Sequence, residues 1–281
     1  MRAKALPQEG KGVQKVKDFL LLSRPLNAIM TFIAVVAGAY IACTLSPSSI
    51  LAALAAALVS AGAQSINDYF DFELDRRKGK RHALSKRGIL YASIIYFASG
   101  LAIAAVAGVR YLVVAVVAAL LAVLYSWRFA RAKYLGNAVV AFETALPFVY
   151  GGVYGQWVRD LFPFLLAFLA TWSREIAKDL EDLLADRGVK RTLPMISGKQ
   201  MAAYFSAYLV FLAVFFSIFP GPLGLKIFGW WYYYLLIPTD LLFLIAAYYI
   251  IRESPGVGQR LEKAAMLLAL VAFLAGTVGS C

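Results

Sequence analysis

Histidine and cysteine are almost missing from this chain: His82 is the only histidine in 281 residues, and Cys43 and Cys281 are the only cysteines. One histidine in a basic loop excludes the imidazole-rich sites that hold zinc or haem. Neither cysteine has a metal-ligand neighbour, and their wide separation argues against a disulfide or thiol role. Charge is scarce as well. Only 16% of residues are charged, against about 25% in soluble domains, while 62% are hydrophobic and mean hydropathy is +0.72. An ordinary soluble domain is thereby excluded, and an all-α, polytopic membrane protein is expected. Residues 1–24 lack an apolar core, so they read as a cytoplasmic arm, amphipathic from Val13 to Leu22, rather than as a cleaved signal peptide. The arm precedes one transmembrane domain, and the whole chain, 1–281, is read as a single unit.

Apolar stretches of spanning length run at about 26–43, 49–69, 90–108, 110–127, 135–156, 161–183, 203–221, 230–251 and 263–280, which predicts nine transmembrane helices. Gly and Pro punctuate them: Ser46-Pro47, Gly108, Gly155, Pro220-Gly221-Pro222 and Ser254-Pro255-Gly256. Lys and Arg orient the set. If the basic loop after helix 2 is cytoplasmic, that side collects 25 of the 28 cations and leaves Arg110, Arg159 and Lys226 on the other. The N-terminus is then inside. The formal charge of +12 is explained by this rule and by anionic lipid headgroups, so no nucleic-acid partner is expected.

The polar residues that remain are concentrated. Asn67-Asp68-Tyr69-Phe70-Asp71-Phe72-Glu73-Leu74-Asp75 closes the second apolar run. Residues four apart in a helix differ by only about 40° in azimuth, so Asn67, Asp71 and Asp75 line one face. A second cluster follows the sixth run, where Glu175, Asp179, Asp182 and Asp186 step by four, three and four. Both clusters fall at cytoplasmic helix ends. Carboxylates and an amide, without thiolate or imidazole, are hard oxygen ligands that suit Mg²⁺ or Mn²⁺. Two such half-sites facing each other would clamp a polyphosphate between metals. Lys178, Lys190 and Arg191, with Arg128, Arg131 and Lys133 in the loop after helix 4, are placed to neutralise phosphate oxygens beyond the metals' reach.

The first motif, Asn67-Asp68-x-x-Asp71-x-x-x-Asp75, resembles the NDxxDxxxD signature of the UbiA superfamily of intramembrane prenyltransferases, and Asp182-x-x-x-Asp186 resembles its second motif. Further echoes are Arg24-Pro25-x-Asn27, Tyr125-Ser126, Lys133 with Gly136-Asn137, and Lys190-x-Thr192-Leu193-Pro194. The run from Arg174 to Asp182, closed by Thr192-Leu193-Pro194, is most similar to the archaeal digeranylgeranylglyceryl phosphate synthases of that family, with the 4-hydroxybenzoate polyprenyltransferases as the alternative. The resemblance implies nine helices around a central cavity open to the cytoplasmic side of the cell membrane. It implies two Mg²⁺ ions bridged by an isoprenoid diphosphate donor, one held by Asn67, Asp71 and Asp75 and the other by Asp182 and Asp186, with Asp68 and Asp179 in or near the first shell. The catalytic residues would be Asp71, Asp75, Asp182 and Asp186. The acceptor would be a lipid phosphate or an aromatic compound, and substrate-binding residues would be Arg24, Asn27, Tyr125, Arg128, Lys133, Lys178, Lys190 and Arg191, with the Tyr125 ring shielding an allylic cation.

Plainer readings stand beside these. Positive-inside bias alone accounts for Arg24, Lys133, Lys190 and Arg191, and Gly38, Gly62, Gly151 and Gly152 read most simply as helix-packing positions. Glu73 and Glu181 fall off the acid faces and read as solvated or paired with cations, and Trp230-Trp231-Tyr232-Tyr233-Tyr234 marks a membrane interface. A cation-coupled transporter is the alternative of another class. It would use the mid-span acids Glu143 and Asp240 in place of the clusters.

Overall fold

The computed structural model describes residues 22, 24–77, 79, 82, 84–129, 135–184 and 192–279. The expected N-terminal arm lies outside the described residues, apart from Leu22 and Arg24. Nine helices of 16 residues or more make up the described chain: α1 Pro25–Ile41, α2 Pro47–Arg77, α3 Lys86–Ala107, α4 Val109–Leu124, α5 Leu135–Gly151, α6 Leu161–Glu181, α7 Lys199–Ser217, α8 Trp230–Ile251 and α9 Pro255–Thr277. A five-residue π turn, Tyr125–Phe129, extends α4, and a short helix, Leu193–Ser197, precedes α7. No strand occurs among the described residues.

Local chemistry sets the helix ends. Pro25 and Pro255 stand at first positions, where the missing N–H costs nothing, and Ser85 caps α3 by accepting a hydrogen bond from the Gly88 amide at 3.2 Å. The α3/α4 break is Gly108, whose φ of 148° suits a residue without Cβ. The Asn67-to-Asp75 run continues the same helix as the apolar stretch before it, so the expected stripe exists on α2.

Among the described residues, five segments are long and apolar enough to cross a membrane: Pro47–Glu73, Lys86–Ala107, Val109–Arg128, Lys199–Ser217 and Trp230–Ile251. Large apolar side chains such as Ile94, Val106, Leu120, Phe211 and Ile237 stay more than half exposed on the outer surface. So much uncovered apolar surface would be a liability in water and is natural against lipid. Inside, α2 packs on α1 and α3, α5 on α1 and α6, α6 on α7 and α9, and α8 on α9. A polar clasp joins three of these helices: Ser173 of α6 donates to Glu262 Oε1 of α9 at 2.5 Å and lies 2.8 Å from Ser206 Oγ of α7.

The helices surround a cavity of about 640 Å³, and every long helix except α3 contributes to its wall. The cavity carries the acidic residues at one end. At the opposite end, Arg159 donates to Cys43 Sγ at 2.9 Å and to the Ile227 carbonyl at 2.8 Å. Cys43 is disulfide-bonded, which corrects the expectation that it has no such role. Separation along the chain is a poor guide once helices fold back. Cys281 lies outside the described residues.

Candidate active site

The site forms where the acidic ends of α2 and α6 meet α1, α5 and the π turn. Asn67 and Asp71 of α2, one turn apart, line the cavity, as does Gln64 one turn earlier. Gln64 Oε1 accepts from Asn27 Nδ2 at 2.9 Å, and Arg24 Nη2 donates to Asp68 Oδ1 at 2.7 Å, so α1 is fastened along α2. From the other side α6 presents Arg174, Glu175, Lys178 and Asp179, with Asp182 at its C-terminal cap. Asn137 of α5 donates to Asp179 Oδ2 at 2.7 Å. Tyr125, on the π turn, lies within electrostatic reach of Asp71, Glu143, Glu175 and Asp179, that is, of α2, α5 and α6 together. The two acid clusters therefore converge on one space.

Within that space the carboxylates differ in how they are engaged. Glu175 is neutralised locally, by Arg174 at 3.0 Å and Lys178 at 3.5 Å. Asp71 and Asp182 face the cavity, and their side chains make no hydrogen bond or ion pair among the described residues. Asp71 is half-buried in a part-apolar wall, where a carboxylate is costly unless a cation or donor meets it, whereas Asp182 is exposed. The cavity thus presents one uncommitted carboxylate from each helix.

Several expected site residues are engaged elsewhere. Asp68 is held by Arg24 and does not line the cavity. Asp75 lies 3.5 Å from His82 and is also absent from the wall. Arg128 is exposed on the π turn, away from the cavity wall. Arg24, Asn27, Tyr125 and Lys178 do line the cavity. Arg131, Lys133, Asp186, Lys190 and Arg191 lie outside the described residues. Off the acid faces, Glu73 and Glu181 are both exposed, as expected, and Glu181 also accepts a hydrogen bond from Gln259 Nε2 at 2.9 Å. Among the described residues no three of His, Cys, Asp and Glu are grouped closely enough to hold a metal unaided.

Sequence reasoning missed Gln64 and Thr171, which line the cavity, and treated Glu143 only as a transporter residue. For Gln64 a signal existed: it continues the Asn67 and Asp71 stripe one turn back. For Thr171, inside an apolar run, there was none.

The family model for the UbiA prenyltransferase family matches residues 29–275. The chain belongs to the UbiA prenyltransferase family. The transporter alternative gives way to this membership, and the chain is a prenyltransferase. It is 35% identical over 271 residues to a digeranylgeranylglyceryl phosphate synthase of Methanopyrus kandleri, covering 92% of this chain and 99% of that one. It is 33% identical over 276 residues to the synthase of that name from Pyrococcus furiosus, covering 94% and 98%. A solved structure of a digeranylgeranylglyceryl phosphate synthase shares 31% identity with a TM-score of 0.79, covering 94% of this chain and 99% of that one. A UbiA homolog from Archaeoglobus fulgidus, solved with GPP and Mg²⁺, shares the fold at a TM-score of 0.61 and 17% identity, covering 93% and 99%.

Proposed function

We propose that this prenyltransferase moves a geranylgeranyl group from its diphosphate to the free hydroxyl of geranylgeranylglyceryl phosphate, forming the second ether of a diether lipid. The observation that carries the reading is the convergence of Asn67 and Asp71 with Glu175, Asp179 and Asp182 on one cavity whose deeper walls are part-apolar. Full-length similarity to digeranylgeranylglyceryl phosphate synthases supports the lipid acceptor over an aromatic one.

The donor set fits magnesium. It consists of carboxylate and amide oxygens, and Mg²⁺ takes a few carboxylates and completes its shell with water and phosphate oxygens. That two uncommitted carboxylates, Asp71 and Asp182, rather than a closed cluster face the mouth of the cavity suits a metal that shares its ligands with a substrate. In this reading Asn67 and Asp71 would hold one of two ions and Asp182 with Asp186 the other, with Asp75 reaching the first only on leaving His82, and with Asp68 and Asp179 close by. Magnesium supplies charge neutralisation for the departing diphosphate. The chain's own residues do the rest. Lys178 and Arg174 stand beside the acids to bind phosphate oxygens, and Arg24 guards the mouth from α1. Asn137 fixes Asp179. The Tyr125 ring stands among the carboxylates, where its face stabilises positive charge developing at C1 of the donor.

The long chains make a membrane site necessary, since each CH₂ moved from hydrocarbon into water costs about 0.8 kcal/mol. We place nine spans across the cell membrane, with the N-terminus and the acidic end of the cavity on the cytoplasmic side. The test is turnover of purified protein with Mg²⁺, geranylgeranyl diphosphate and an acceptor panel of geranylgeranylglyceryl phosphate and 4-hydroxybenzoate. Ether formation that disappears in Asp71→Ala and in Asp182→Ala, with both variants eluting and melting like wild type, is the expected outcome. Retained turnover in both variants refutes the metal assignment, and transfer to 4-hydroxybenzoate alone refutes the acceptor.

A further inference from the structure

The cavity continues well below its acidic mouth, and its middle is not uniformly apolar. Glu143 of α5 and Thr171 of α6 both line it there. Asn137 and Asp179 mark the mouth, because their side chains are bonded across α5 and α6. At 1.5 Å per residue, Glu143 lies about 9 Å along α5 from Asn137, and Thr171 about 12 Å along α6 from Asp179. These consecutive helices pack side by side, so the two residues sit at similar depth.

Their polar atoms are conspicuous for what they do not bond. Glu143 Oε1 is buried without a hydrogen-bond partner among the described residues, and so is Thr171 Oγ1, on a residue only 2% exposed. A threonine inside a helix ordinarily satisfies its hydroxyl on its own backbone one turn back. Thr31, Thr144, Thr239 and Thr277 all do so here, at 2.7 to 3.0 Å. Thr171 does not. Leaving a buried hydroxyl and a buried carboxylate oxygen unbonded costs about 1–3 kcal/mol each unless a ligand meets them. Tyr125, which stands among the mouth carboxylates, also lies within electrostatic reach of Glu143. Glu143 thus belongs to the same space as the diphosphate site, one step further in, where the reacting end of a donor would follow its phosphates.

We infer that Glu143 and Thr171 seat the attacking hydroxyl of the acceptor, and that Glu143 is its proton acceptor. This rests on the ether-forming reading above. Thr171 Oγ1 hydrogen-bonds the acceptor oxygen, and the Glu143 carboxylate accepts a hydrogen bond from its O–H. As the bond from C1 to the diphosphate oxygen breaks, its electron pair leaves with diphosphate. An oxygen lone pair of the acceptor forms the new C1–O bond, and the hydroxyl proton passes to the Glu143 carboxylate. Glu143 later releases that proton to water with the product, so the site returns to its starting state.

The test measures ether formed and diphosphate released, side by side, for full-length wild type, Glu143→Gln and Thr171→Val with Mg²⁺, geranylgeranyl diphosphate and geranylgeranylglyceryl phosphate. A positioned general base contributes about 10²–10⁴-fold, so Glu143→Gln is expected to lose ether formation by a factor in that range with the donor KM within twofold of wild type. Diphosphate release falls less, because water can replace the poorly held acceptor, and the ratio of diphosphate to ether rises above one. Thr171→Val raises the acceptor KM by about fivefold, the worth of one neutral hydrogen bond, and leaves the donor KM alone. The unchanged donor KM separates both effects from misfolding. Glu143→Gln turning over within threefold of wild type overturns the inference, as does a loss of donor affinity in proportion to the loss of ether. Wild-type protein that forms no ether at all refutes the proposed function, and this inference with it. Wild type that forms ether while Glu143→Gln matches it refutes the inference alone.

Discussion

Asp160 shows how far burial can change one side chain. It lies in the 3₁₀ turn Trp157–Asp160 between α5 and α6, is fully buried, and neither carboxylate oxygen has a hydrogen-bond partner among the described residues. A Cβ on Gly152 would collide with Asp160 Oδ2, so the glycine is what admits the carboxyl group. Burial pushes its pKa up from 3.8 to about 9, against the opposing pull of Arg159. At neutral pH the folded protein therefore keeps Asp160 protonated, while the unfolded chain releases the proton. Between pH 3.8 and about 9 the folded state binds more protons, so stability falls as pH rises through that window, by at most about 1.4 kcal/mol per pH unit. Asp160→Asn removes the proton exchange and keeps the shape. Melting temperatures in detergent should show the variant gaining on wild type more at pH 8 than at pH 5. Equal gains at both pH values would show that Asp160 ionises freely in the folded state.

At the scale of helices, close approach does most of the positioning. α1 and α5 touch backbone to backbone: a Cβ on Gly38 would strike the Phe148 carbonyl, and one on Gly151 would strike the Val35 carbonyl. Both glycines are packing positions, as the plainer sequence reading held, and they set the distance at which α5 carries Asn137 and Glu143 into the site. Gly38→Ala is expected to cost about 1–3 kcal/mol through overpacking and to weaken ether formation with it. A melting temperature equal to wild type would mean that α1 and α5 can separate without loss. The sequence made the helices legible to this degree because apolar length and Gly or Pro breaks are local properties. The four-residue spacing of Asn67, Asp71 and Asp75 likewise announced a stripe, and α2 is helical through all three. Spacing carries no information about what arrives from elsewhere. His82 comes back on Asp75 and Arg24 reaches Asp68, so half of the first motif is committed to holding the mouth together while Asn67 and Asp71 face inward. Thr171 was invisible for a related reason. Its hydroxyl is not returned to its own helix, whereas those of Thr31, Thr144, Thr239 and Thr277 are, and residue type alone does not distinguish the two cases.

For the molecule as a whole, the distribution of charge and the position of the cavity make a joint statement. By sequence, 25 of the 28 Lys and Arg fall in segments assigned to the side of the acid clusters, and Arg110, Arg159 and Lys226 fall in segments assigned to the other. Cationic flanks are retained on the cytoplasmic side during insertion, so in the proposed orientation the same asymmetry would also set which leaflet the site serves. In that orientation a diphosphate donor would meet the mouth from the cytoplasm, with its apolar chain in the part-apolar interior. Two exposed positions test this, Arg87 at the start of α3 near the acidic end and Lys226 in the α7/α8 loop. In a background with Cys43→Ser and Cys281→Ser, Lys226→Cys should react with a membrane-impermeant maleimide in intact cells, and Arg87→Cys only after the membrane is opened. The reverse pattern would put the acid clusters outside, where neither prenyl diphosphate nor cytoplasmic magnesium could reach them, and the proposed reaction would lose both of its reactants at once.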